Sequence, residues 1–230
     1  MVTVLAPLAL LLSAPRTLEV YAAVSLREAF RGVARAFERT HPGVAVRLTF
    51  SGSQTLAAQI QNGAPADVFA SAAPKNLRNL AYDPSSRRVF ATNRLVLLGK
   101  KDLRSLASAR RIVLAAPFVP AGGYTGQALT QAGKRFGATW LASVRSHIVS
   151  QENDVRTVLA KFRLGEADAA IVYATDAKGT PLPRPFQPRI EYPVVRLTEA
   201  PEPSLAKEFI GLLLSPVGKR CLKARGFGVP

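Results

Sequence analysis

A strand that runs through small residues to a serine and turns directly into a helix occurs twice in the first quarter of this chain, and that repetition constrains the fold most. The first instance is Leu18 to Phe30, LEVYAAVSLREAF, in which a short apolar strand reaches Ser25 through two alanines. The second begins at Val44 to Phe50, which alternates as a half-buried strand does, and continues through Ser51-Gly52-Ser53-Gln54-Thr55 into the helical LAAQIQ. Ser25-Leu26-Arg27-Glu28 fits the S-x-x-E capping box: the hydroxyl accepts from a first-turn amide and the glutamate reaches back. Ser53 is likewise placed to cap its helix, and Gly52 allows a close backbone approach. A cap is therefore the plain structural role of both serines.

The alternation continues along the chain. After Ser25, Arg27 to Arg39 is amphipathic, with Phe30, Val33, Ala34 and Phe37 at helical spacing, and stops before His41-Pro42-Gly43. Val68 to Ala70 reads as a strand, Ser71-Ala72-Ala73-Pro74 opens another helix, and Val89 to Leu98 contains a further strand. Ile112 to Ala116 is a buried strand. It leads to a third junction, Pro120-Ala121-Gly122-Gly123, whose small residues leave peptide amides uncovered ahead of a helix from about Thr125 to Phe136. Asn153 is the expected cap of a helix over Val155 to Leu164, which puts the Val155 amide, unpaired, in a first turn. Ala169 to Val172 is a small-residue strand ending at Tyr173, and two helices close the chain.

Strands alternating with helices predict α/β architecture with parallel, doubly wound sheets. The element order predicts two lobes, with crossings near Asn93 and near Tyr192-Pro193. One lobe takes residues 18–93 and 194–230 and the other 94–193, joined by a two-stranded hinge, with a ligand cleft between them at the carboxyl ends of the strands.

Composition narrows the function classes. With 48% hydrophobic residues over 230, the chain can bury a real core. The net charge of +16 favours anionic partners, but the basic residues are scattered rather than blocked, so no nucleic-acid partner is expected. A single cysteine, Cys221, excludes an internal disulfide, and His41 and His147 lack ligand-spaced neighbours, so no such metal centre is expected. The opening MVTVLAPLALLLSAP resembles a secretory signal without its basic start and is too short and broken by Pro7 to span a membrane. Residues 1–17 are set aside as a signal-like segment, which predicts an exported protein; with no cysteine near the N-terminus, no lipid anchor is expected.

Helix starts carry unpaired N–H donors and a partial positive charge, so several converging starts bind a tetrahedral anion without lysine or arginine. Hydroxyls of Ser25 and Ser53 and the phenol of Tyr173 would add directional donors. Such a pocket favours a fully deprotonated oxyanion, because a protonated one leaves its hydrogen unpaired at a cost of about 1–3 kcal/mol. No G-x-S-x-G, H-E-x-x-H or phosphate-loop motif is present, so an enzyme is not expected, and Asp67, Asp168 and Asp176 read as cap or turn residues. A DNA-binding regulator on this fold would carry a reader domain, for which the segment ahead of the first strand is too short.

The segments YAAVSLREAF, FSGSQTLAAQIQNGAPADVFASA, VPAGGY, ENDVRTVLAKFRLGEADAAIVYATDA and EYPVV occur in order across nearly all of Leu18 to Pro230. Together they resemble the periplasmic molybdate-binding proteins of ABC transporters. The resemblance implies a two-lobed type II periplasmic-binding-protein fold that captures molybdate or tungstate and delivers it to a membrane permease, as a monomer with no cofactor. It places the ligand on Ser25 and Ser53 through hydroxyl and amide, on Ala121 and Val155 through their amides, and on Tyr173 through its phenol. The metal itself would be reached only through the oxyanion's oxygens. A sulfate- or thiosulfate-type specificity on the same fold is the alternative, separated by pocket size rather than by donor type.

Overall fold

The structure, a computed structural model, describes residues 16–230. Most of the signal-like segment therefore lies outside the described residues. Its last two residues do not belong with it: strand β1 is Arg16–Ala23, and Arg16 bonds through its amide to the Gly43 carbonyl at 3.0 Å and through its guanidinium to Glu202.

Two five-stranded sheets form the frame. In the first, β1 lies between its parallel neighbours β2 (Val44–Ser51) and β3 (Val68–Ala70), and β10 (Ile190–Arg196) and β4 (Arg88–Asn93) complete the order 2-1-3-10-4. The second repeats the plan. There β6 (Ile112–Ala115) lies between its parallel neighbours β7 (Ile148–Glu152) and β8 (Ala169–Tyr173), with β5 (Leu95–Leu98) and β9 (Thr180–Pro181) on one side, in the order 7-6-8-5-9.

The sheets are mixed rather than parallel. β10 runs antiparallel to β3, and β5 antiparallel to β8, because each enters its sheet from the opposite lobe instead of through a local helical crossover. The stretch expected to hold one strand near Val89 to Leu98 is thus two strands in different sheets, parted by Arg94. The return crossing also moves. β10 lies wholly in the first sheet, so the chain is back before Ile190, and a boundary at 193/194 would cut a strand. Pro193 marks a register shift in that strand, where its missing N–H interrupts the ladder.

Helices α1 (Arg27–Thr40), α2 (Ser53–Gln61), α6 (Pro203–Leu214) and α7 (Pro216–Lys223) belong to the first lobe. Helices α3 (Pro120–Phe136), α4 (Ala138–Ser146) and α5 (Val155–Arg163) belong to the second. The apolar face of α1 presses Phe30 and Phe37 into the first core, edge-on to Phe90 and Phe209 at 5.7 and 5.5 Å between ring centres. Helix α3 starts at Pro120, not near Thr125: proline is preset for a first helical position, where its absent N–H costs nothing. The Ser71 to Pro74 segment opens only a 3-10 turn, Pro74–Leu77.

Candidate anion-binding site

Parallel neighbours end on the same edge of a sheet, so β1 and β2 deliver two helix starts to one edge, and β6 and β7 deliver two to the other. These four starts meet across the cleft between the lobes. The cavity they enclose is lined by Ala23 to Ser25, Ser51 to Ser53 and Ala72 from the first lobe, and by Val119 to Ala121, Asp154, Val155 and Tyr173 from the second. All five residues singled out in the sequence, Ser25, Ser53, Ala121, Val155 and Tyr173, border it. It is small, with about 20 Å³ of room for the centre of a water-sized sphere, and no lysine or arginine among the described residues lines it.

Neither serine caps its helix. A 3-10 turn over Val24–Leu26 slides the start of α1 past Ser25, leaving Leu26 at the cap position with no side-chain bond; Glu28, freed from the expected capping box, lies 3.9 Å from Arg31. Ser25 is buried instead, its Oγ 3.3 Å from Tyr192 Oη. Gly52 occupies the cap of α2 and Ser53 its first position; Ser53 Oγ accepts the Ala72 amide N–H at 3.0 Å. With that lone pair used, the hydroxyl hydrogen of Ser53 remains for the cavity.

Ala121 and Val155 lie in the first turns of α3 and α5, where N–H groups have no partner within the helix. Asp154, not Asn153, caps α5. In extended backbone, Asp154 accepts the Arg156 and Thr157 amides at 2.7 and 2.9 Å and the Thr157 hydroxyl at 2.9 Å. Those donors occupy the carboxylate of the one acidic side chain that lines the cavity among the described residues, while leaving the Val155 amide uncapped. Gly122 sets the approach of α3, since a Cβ there would lie 2.0 Å from the Ala116 carbonyl oxygen.

Tyr173 ends β8, and its Oη is buried with no hydrogen-bond partner among the described residues. Burial pushes this phenol well above its usual range, so it stays a protonated donor. Beside it lie two residues that the sequence reading passed over as site components. Arg94 N–H fixes the Asn93 amide by donating to Oδ1 at 2.8 Å, so Nδ2 donates to Tyr192 Oη at 3.1 Å. Tyr192 Oη and Ser25 Oγ share a hydrogen bond in which either hydroxyl can donate, so Tyr192 holds the Ser25 side chain at the cavity wall. The available signal was their position at the two crossings, where side chains of both lobes must meet.

Of the three aspartates read as cap or turn residues, Asp67 instead ties β1 to the start of α6 by accepting the Glu19 and Glu202 amides, and Asp168 ties its segment to the one before β6 by accepting the Arg110 and Arg111 amides. Asp176 also departs from that expectation. Its carboxylate is buried with no hydrogen-bond partner among the described residues, facing Arg156 Nε at 3.1 Å but out of alignment, and burial lifts its pKa to about 6 against the pull of Arg156.

The lobes touch at the cleft rim. Gln54 Nε2 donates to the Asn153 carbonyl at 2.9 Å, and Lys75 Nζ to the Pro117 carbonyl at 3.4 Å. Gly52 faces the same Asn153 oxygen, which a Cβ would approach to 2.8 Å.

Two mixed α/β lobes closed on a small, donor-lined cavity define a two-lobed solute-binding protein. A family model described as bacterial extracellular solute-binding protein matches residues 18–228, and the chain belongs to that family. Among curated relatives it is 33% identical to the molybdate-binding protein ModA of Mycobacterium tuberculosis, over 94% of this chain and 85% of that protein. It is 32% identical to ModA of Escherichia coli, over 91% and 88%. The solved periplasmic molybdate-binding protein of Azotobacter vinelandii superposes with a TM-score of 0.79 at 28% identity, over 93% of this chain and 99% of that one.

Proposed function

We propose that this chain captures molybdate, and tungstate with it, outside the cytoplasm and delivers it to the permease of an ABC transporter, as an exported monomer without cofactor or catalytic step. One observation carries the reading. Hydroxyls of Ser25 and Ser53, first-turn amides of Ala121 and Val155, and the phenol of Tyr173 border one small cavity that, among the described residues, has no basic side chain and no partner for that phenol. Neutral dipoles at helix starts suit a dianion that must later be released, because they add no fixed cation to hold it. The names of the relatives support molybdate as that dianion.

Isothermal titration with molybdate, tungstate, sulfate and phosphate tests this. Tight one-to-one binding of molybdate and tungstate, with sulfate and phosphate silent, is the expected result. Sulfate binding with molybdate silent would move the chain to a sister specificity, and silence from all four would overturn the reading.

A further inference from the structure

Helix α1 carries arginine at every fourth position, Arg27, Arg31, Arg35 and Arg39. Each step advances about 6 Å along the axis, so the last three form a row on the face opposite the buried Phe30, Val33 and Phe37. Like charges at this spacing repel one another and destabilise the helix. The helix has two carboxylates with which to offset them. Glu28 is 3.9 Å from Arg31, and Glu38 is bonded to the Val46 amide; Arg35 and Arg39 have no ion pair among the described residues.

Helix α7 packs alongside α1 and adds cations of its own. The contact is close at Gly32, where a Cβ would lie 3.2 Å from Cys221 Sγ. Arg220 and Lys223 of α7 and the following Arg225 are likewise exposed and without an ion pair among the described residues. Six exposed cations thus cover two adjacent helices, while the large exposed apolar residues, Phe118, Val149 and Leu164, all lie in the other lobe. Protein partners are anchored by apolar and aromatic contacts, and single-stranded nucleic acid by stacking on aromatics. This face offers neither. A plane of anionic headgroups requires only a dense, flat array of charge.

We infer that the outer face of α1 and α7 is a docking surface for an anionic lipid bilayer. It runs away from the cleft, and none of Arg31, Arg35 and Arg39 lines the cavity, so docking leaves the anion site open. The inference rests on the surface charge and not on which anion the cleft holds.

Co-sedimentation of the purified full chain with phosphatidylglycerol–phosphatidylcholine vesicles, against pure phosphatidylcholine, tests it at about 50 and about 300 mM salt. The wild type is expected on the anionic vesicles alone, and to be released at the higher salt. Replacing Arg31, Arg35 and Arg39 together with glutamine is expected to weaken binding about 100-fold, at roughly five-fold per basic residue near the surface. A control with Lys101, Arg110 and Arg145 of the other lobe changed to glutamine makes the same change in net charge and is expected to bind as the wild type does. Circular dichroism and molybdate titration report whether each triple variant is folded. Failure to bind anionic vesicles, equal loss in the control, or tighter arginine-dependent binding to a short DNA duplex at the same salt would each overturn the bilayer as occupant.

Discussion

Ser25 Oγ and Tyr192 Oη lie 3.3 Å apart although 167 residues separate them in the chain. Asn93 Nδ2 donates to the same phenol, so a side chain at the first crossing fixes the partner of a hydroxyl on the cavity wall. Tyr192→Phe keeps the ring packed against Phe90 and Phe227 but frees the Ser25 hydroxyl to turn. Oxyanion affinity is expected to fall about 3- to 10-fold, with stability lower by about 1 kcal/mol, measured by titration calorimetry and urea unfolding. Unchanged affinity would take Tyr192 out of the site.

Ser53→Ala removes two things at once: the donor toward the cavity and the acceptor of the buried Ala72 amide. Affinity is expected to drop about ten-fold or more, and stability by about 1–3 kcal/mol. A variant that bound weakly at full stability would show that the Ala72 amide finds another acceptor.

Tyr173→Phe is expected to part the two effects. The phenol has no partner among the described residues, so its loss relieves a buried unsatisfied group and raises the stability of the ligand-free form by about 1 kcal/mol, while affinity falls. Thermal unfolding with and without molybdate reads both. A loss of stability with affinity intact would make the phenol structural.

Gln54→Ala deletes a bond that spans the cleft to Asn153. Because it is exposed, its effect is expected to be small: dissociation of the bound anion faster by about three-fold, followed by stopped-flow fluorescence, and no change in unfolding midpoint. A lowered midpoint would assign Gln54 to the fold instead.

Asp176 titrates at about 6 in the folded chain because burial disfavours its charge. A carboxyl raised above its unfolded value stabilises the fold below that value and loses the contribution as pH rises through the folded one. The window is about pH 4 to 6, and the amount at most about 3 kcal/mol. Asp176→Asn is expected to flatten this part of the profile, so that the wild type weakens relative to the variant as pH rises, by urea midpoints across the range. A constant difference between the two would remove Asp176 from the titration.

Part of the site was legible because its signals are local. Small residues before a helix start, a serine at a strand end and a glycine where backbones approach are properties of five or six consecutive residues. Those signals by themselves mark Ser25 and Ser53 as caps and leave Ala121 and Val155 as ordinary loop and core residues; the resemblance carried by five segments in order is what named Ser25, Ser53, Ala121, Val155 and Tyr173, and these border one cavity. What those side chains do was less legible. Ser25 and Ser53 looked like caps, since the pattern S-x-x-E does not reveal that a 3-10 turn displaces one helix start and that Ala72 takes the other hydroxyl. Asn153 and Asp154 differ by one residue in where the strand ends, which periodicity does not resolve.

The sequence by itself determined most of the elements, because hydrophobic period, turn residues and helix starts are written within one or two turns of chain, while the donor residues were named by the resemblance of five ordered segments. Only the tertiary structure decided that the sheets are mixed, that Tyr192, bonded by Asn93, meets Ser25, and that Gln54 meets Asn153. These contacts join residues 99 to 167 positions apart. Such pairings depend on how two lobes close on each other, and no local pattern encodes that.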